Sequence, residues 1–234
     1  MFLVSILTKR GNVFYDRQEA GQKLAKAISK KRLAINKNNA LVLALPRGGV
    51  IVGREIARLL NIPLDIVVTK KIGFPGNPEY AIGAVGESGE LVMGNEIVDR
   101  KYLEKEIEVK KEEIKRRLVE YRGTKSPPDL RGKTVILVDD GLATGLSMKA
   151  AVNEVRAKKP AQIIIAVPVA SPESIDELKE EVNELICLKT PRPFFAIGNF
   201  YTNFEQVTDE EVKTALRDSD TPHFGLSQNQ KAER

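Results

Sequence analysis

The sequence predicts an α/β fold: a central, mostly parallel sheet with helices on both faces, plus an inserted hairpin or flap and a long charged helix. Three observations predict it. Short apolar runs recur as ALVLAL (40–45), DIVVTK (65–70), TVILV (134–138), QIIIAVPVA (162–170) and ELICLK (184–189). They do not alternate with polar residues, as expected of strands buried on both faces. Segments with apolar residues at helical spacing lie between them, and strand–helix alternation of this kind builds a parallel sheet. A chain of 234 residues suits one such domain and can bury its core without staples. The domain is expected to span 1–217, with a polar tail at 218–234.

The elements follow in order. Residues 16–32 predict a helix capped by Asp16, with Glu19 three positions on to close a capping box. Ala20, Leu24, Ala27 and Ile28 form its apolar side. After the strand at 40–45, PRGG turns the chain into a helix, VIVGREIARLL. After the strand at 65–70, residues 73–94 are rich in glycine and proline and predict a flap of loop and short hairpin. AIGAV and ELVM are its candidate strands, with GESG between them. Residues 95–122 carry Ile97, Leu103, Ile107, Ile114, Leu118 and Tyr121 at helical spacing, with charge partners such as Glu112 and Arg116. They predict one long helix or a helical pair, covering a sheet face or making a dimer contact. A proline-containing linker leads to TVILV, then a helix at about 146–158, a strand, the helix PESIDELKEEV, and ELICLK. An aromatic-rich loop, TPRPFFAIGNFYTNFEQV, precedes a short helix capped by Thr208 and Glu211.

Composition narrows the function classes. Cys187 is the single cysteine, so no intramolecular disulfide forms; buried strand packing and a reducing compartment are expected. The apolar N-terminus is too short for a spanning helix and lacks a cleavage pattern, and no later run is long enough, so a cytoplasmic protein without a membrane partner is expected. The net charge of +5 comes from 37 basic residues scattered among 32 acidic ones, with no tryptophan, which argues against nucleic acid as a partner.

Ligands of such sheets sit outside the carboxyl ends of strands, which singles out the loops after Leu45, Thr69 and Val138. The last reads VILVDDGLATGLS. Asp139 and Asp140 end the strand, and GLATGLS leads straight into a helix, whose unpaired first-turn N–H groups suit a phosphate. Thr144 and Ser147 add hydroxyls, and Gly145 removes a side chain where a phosphate would press. Two carboxylates beside such a nest would repel a phosphate unless they hold sugar hydroxyls or a hydrated Mg²⁺. The loop therefore asks for a phosphorylated, polyhydroxylated ligand. It is neither a dinucleotide fingerprint nor a P-loop. An ordinary helix cap is the plain alternative.

VILVDDGLATGLS resembles the diphosphoribose-binding signature of the type I phosphoribosyltransferases: a hydrophobic strand, two acids, two mostly apolar residues, then Ala-Thr-Gly-Gly-Thr. The resemblance implies that Asp139 and Asp140 bind the ribose 2′- and 3′-hydroxyls, and that Ala143, Thr144, Gly145, Leu146 and Ser147 cup the 5′-phosphate. Gly141 stands where a branched apolar residue is usual, Leu146 replaces the second glycine and Ser147 the threonine. ALPRGGV resembles the family's pyrophosphate loop, with Arg47, Gly48 and Gly49 on the leaving pyrophosphate; a guanidinium and glycine N–H groups suit a diphosphate. Lys70 and Lys71 resemble basic positions that touch pyrophosphate near the flap, though solvated edge lysines would read the same. Glu79 and Tyr80 are candidate flap contacts. Phe194, Phe195, Phe200 and Tyr201 are candidates for stacking on a base, or for plain packing. LALPRGGV, KKIG, VDDGLATG, AVPVA and the FFAIG to VTDEEV end also resemble a subgroup of phosphoribosyltransferase-domain proteins, so the likeness runs over about 40–212.

The resemblance implies a Mg²⁺-dependent pentosyltransferase, a homodimer whose substrates are phosphoribosyl diphosphate and a nitrogenous base, purine favoured. Asp139, Asp140, Arg47, Lys70 and Lys71 would be its catalytic set, with Mg²⁺ bound through ligand and water near the acid pair. Two other classes stay open: a non-catalytic phosphoribosyl diphosphate or nucleotide sensor, and a hydrolase or phosphorylase of a phosphorylated sugar.

Overall fold

The structure, a computed structural model, describes residues 4–6, 14–31, 33, 35–124 and 126–220. Its main sheet has six strands: β1 (Val4–Ile6), β2 (Ala40–Ala44), β3 (Leu64–Ile66), β7 (Thr134–Val138), β8 (Gln162–Val169) and β9 (Glu184–Lys189). The order is β1-β9-β8-β7-β2-β3 and every pairing is parallel. A second, antiparallel sheet is formed by β4 (Lys70–Phe74), β5 (Asn77–Val85) and β6 (Leu91–Met93). The helices are α1 (Arg17–Lys30), α2 (Gly48–Leu60), α3 (Arg100–Arg122), α4 (Leu146–Ala157), α5 (Pro172–Leu178) and α6 (Asp209–Asp220), with a 3₁₀ turn at Ile197–Phe200.

Period-two alternation sends the side chains of β2, β7, β8 and β9 to two cores. Val42, Ala44, Ile136, Val138, Ile164 and Ile186 face one core with α1, α2, α6 and part of α3. Leu41, Leu43, Val135, Leu137, Ile165 and Cys187 face the other with α4 and α5. Cys187 is thus strand packing; burial pushes its thiol up to about 12, which leaves it no nucleophilic role. Asp16 caps α1 by accepting from Glu19 N at 2.8 Å, while the Glu19 carboxylate accepts from Tyr15 N at 2.7 Å.

The structure departs from the sequence-based expectations at several places. The predicted strand at 65–70 ends at Ile66, and Lys70 already opens the second sheet. Residues 73–94 are mostly strand, because β4 supplies a third partner that the glycines and prolines obscure. Residues 95–122 form one helix starting at Arg100, capped by Asp99; Ile97 lies outside it and is exposed. The helix predicted from 172 to 182 stops at Leu178. Residues 4–6, for which the sequence predicts no element, pair with β9. Helix α6 continues to Asp220, past the expected tail boundary, and the rest of that tail lies outside the described residues. No helix among the described residues is long and apolar enough to cross a membrane.

Candidate active site

The loops after β2 and β7 meet at the carboxyl edge of adjacent strands. Asp139 Oδ1 accepts from Asp140 N at 2.8 Å, and Asp140 Oδ2 accepts from Arg17 Nε at 2.7 Å. Each acid therefore has one committed oxygen and one left for a ligand. A β-carbon at Gly48 would stand 1.8 Å from Asp140 Oδ2, and one at Gly49 2.8 Å from the Val138 carbonyl. The paired glycines of PRGG are thus required by the close approach of the acid pair, whatever else their N–H groups bind. Burial pushes Asp139 well above the ordinary carboxylate range, and the neighbouring Asp140 charge adds to it. Burial also raises Asp140, against the pull of Arg17 and Lys71.

Beyond the acids the chain is tied to the end of β8. Leu142 N donates to the Val169 carbonyl and Ser171 N to the Leu142 carbonyl, both at 2.9 Å. The Ser171 and Ser174 hydroxyls both lie 2.7 Å from the Ala143 carbonyl. Gly145 then takes φ +73°, a left-handed conformation that favours glycine, and α4 begins at Leu146. Neither α2 nor α4 has a side-chain cap. The other four helices do, from Asp16, Asp99, Ser171 and Thr208. The two uncapped N-termini, with N–H groups left for an anion, flank the acid pair.

The remaining candidates separate. Lys71 acts electrostatically on both acids, whereas Lys70 is bound to Glu113 on α3 at 2.8 Å. Neighbours on a strand point to opposite faces, so one lysine serves the site and the other the helix. In this structure the Lys70 ammonium is held by Glu113. Arg47 Nη1 lies 3.7 Å from Asp209 Oδ1 on α6. Asp209 also accepts a short hydrogen bond from the Tyr121 hydroxyl. Tyr80 donates a short hydrogen bond to Glu96; the Glu79 side chain lies outside the described residues.

Tyr201 is buried, stacked on Phe204 at 4.9 Å, and its hydroxyl donates to the Asp140 carbonyl at 2.6 Å. Its ring is packed on Phe204 and its hydroxyl braces the acid loop. Phe200 stacks on Phe194 at 5.4 Å. Phe195 is 79% exposed, free to meet a ligand. With Phe194, Tyr80, Glu96, Thr144 and Lys149 it lines a cleft of about 800 Å³ beside the start of α4.

The two apolar departures from the signature have packing reasons. A β-carbon at Gly141 would come within 2.6 Å of Ile197, so the 3₁₀ turn fills that space. Leu146 is buried against Ala84, Val92 and Ala150, where it anchors the second sheet to α4. Sequence reasoning missed Arg17, Ser171, Ser174 and Ile197. Only the serines left a signal, in the cap-like SPES.

A family profile described as the phosphoribosyl transferase domain matches residues 12–199. A Mycobacterium tuberculosis H37Rv protein, provisionally named a phosphoribosyl transferase, is 37% identical over 209 residues, covering 87% of this chain and 46% of that one. A counterpart from strain CDC 1551 matches to the same extent. The chain spans about half the length of the curated relatives it matches. The crystal structure of TT1426 from Thermus thermophilus is similar at TM-score 0.74 and 43% identity, over 88% of this chain and 98% of that one. The profile match takes in the acid pair and both loops beside it, and the chain belongs to the phosphoribosyl transferase domain family.

Proposed function

We propose that the protein transfers the phosphoribosyl group of 5-phosphoribosyl 1-diphosphate to a nitrogenous base of purine size. The observation that carries this is the pair of uncapped helix N-termini flanking two carboxylates, each with one oxygen uncommitted. Two anion sites around a diol holder match a sugar with phosphate at one end and diphosphate at the other. The N–H groups at the start of α4 would take the 5′-phosphate, and those at the start of α2, with Arg47 and Lys71, the diphosphate. The cleft beside Phe195 has room for the base.

In this reaction the C1–O bond breaks with its electron pair leaving on pyrophosphate, a base nitrogen forms the new bond to C1, and the base loses its proton. The protein's part is positioning and charge placement. Asp139 and Asp140 hold the diol and favour the positive charge that develops at C1. Among the described residues no group of three or more His, Cys, Asp or Glu could hold a metal. The acid pair nevertheless suits Mg²⁺, which takes one or two carboxylates and completes its shell with substrate oxygens and water. Bound there, it would neutralise diphosphate charge.

The test is calorimetric titration with phosphoribosyl diphosphate and Mg²⁺, then a panel of bases with pyrophosphate release followed. Binding with release for one base is expected. Binding without release for any base would turn the reading to a sensor, and no binding would overturn it. The Asp139→Asn/Asp140→Asn double variant should keep its fold and lose turnover by at least about a hundredfold; full activity would sink the assignment.

A further inference from the structure

Arg17 lies 123 positions before Asp140, at the start of a helix that belongs to none of the signature loops. Its guanidinium is used on three sides. Nε donates to Asp140 Oδ2 at 2.7 Å, Nη1 donates to the Glu205 carbonyl at 2.8 Å, and the group lies 3.8 Å from the centre of the Phe204 ring. Phe204 stacks on Tyr201, whose hydroxyl holds the Asp140 backbone carbonyl. One aromatic stack therefore fixes both the side chain and the main chain of Asp140. The arginine and aspartate side chains are only 11% and 13% exposed, so solvent screens the pair weakly. The absent β-carbon of Gly48 would collide with both members, 1.8 Å from Asp140 Oδ2 and 2.8 Å from Arg17 Nε. The turn after β2 is thus shaped around the ion pair.

We propose that Arg17 is the positioning residue of the diol site: it fixes the rotation of the Asp140 carboxylate, so that the oxygen left uncommitted meets a sugar hydroxyl. The proposal rests on the phosphoribosyl reading above.

The experiment compares ribose 5-phosphate with propyl phosphate, which has the phosphate but no diol, on wild type, Arg17→Gln and Arg17→Lys, with Mg²⁺, by NMR titration. Arg17→Gln should weaken ribose 5-phosphate on the order of tenfold and leave propyl phosphate within about twofold. Arg17→Lys, which keeps the charge without the fork, should recover part of the loss. Equal losses for both ligands would mean that Arg17 merely supports the fold, and no loss would mean that it is idle; either overturns the proposal. If Arg17→Gln does not fold, Phe204→Leu, which removes the ring beneath the guanidinium, should give a smaller loss confined to ribose 5-phosphate, and a loss for both ligands or neither counts against it equally. A wild type that does not prefer ribose 5-phosphate would instead bring down the phosphoribosyl reading itself.

Discussion

The two sheets are held by different forces. The parallel sheet is an apolar slab: β2 and β7 are buried along their whole length, with a core on each face. The antiparallel sheet has a smaller apolar contact, where Ala84, Val92, Leu146 and Ala150 meet, and Val85 at the end of β5 joins the larger core. It also has polar attachments: Lys70 to Glu113 at 2.8 Å, and the Tyr102 hydroxyl to the Gly73 carbonyl at 2.7 Å. Apolar burial does not titrate, whereas an ion pair is screened by salt and lost when one partner is neutralised. The acid pair grows from the first sheet, and Lys71 reaches it from the second. One half of the site is built on packing alone, and the other on packing and charge together.

Three changes test that contrast. The largest effect is expected for Ile136→Ala, which empties a fully buried position in β7. It should destabilise the protein by about 2–5 kcal/mol, read by urea unfolding; a loss near zero would show that the slab is not where stability resides. Next is Leu146→Gly. Hydrogen exchange in 77–93 should rise roughly tenfold or more as the second sheet undocks, while β2 and β7 keep their protection. A matching rise in 134–138 would break the contrast. The smallest effect is expected for Glu113→Gln. Burial works to raise this carboxyl, but Lys70 and Lys110 outweigh it and hold it at about 2 against an ordinary 4.5. Because the folded value is depressed, the stabilisation is present above pH 4.5 and is lost as pH falls towards about 2. Wild-type protection of β4, measured relative to the intrinsic exchange rate at each pH, should fall across that window, and the glutamine variant should lack the pH step. A step that survives in the variant would assign the attachment to other groups.

What the sequence made legible was local. TVILVDD announces a buried strand and its acids within seven residues, and both elements stand where expected. The capping boxes at Asp16 and Thr208 were equally readable, because their partners lie three positions apart. Arg17 was not, since a charged residue in the first turn of a helix looks like any solvated one until a residue 123 positions away comes beside it. Lys70 and Lys71 were indistinguishable until the strand's alternation gave them different faces. Tyr201 reads as one of several ring-bearing residues, and only its depth and hydroxyl contact separate it from Phe195. Gly141 and Leu146 looked like drift from a family pattern; both are fitted to neighbours from elsewhere in the chain.

The clasp between Arg17 and the Glu205 carbonyl joins positions 188 apart. A ribosome adding about 5–20 residues per second needs roughly 10–40 seconds to travel between them. For the last part of that interval the nascent chain already holds Asp139 and Asp140 without the segment that braces them. The acid pair is therefore completed well after the strand that carries it has been made.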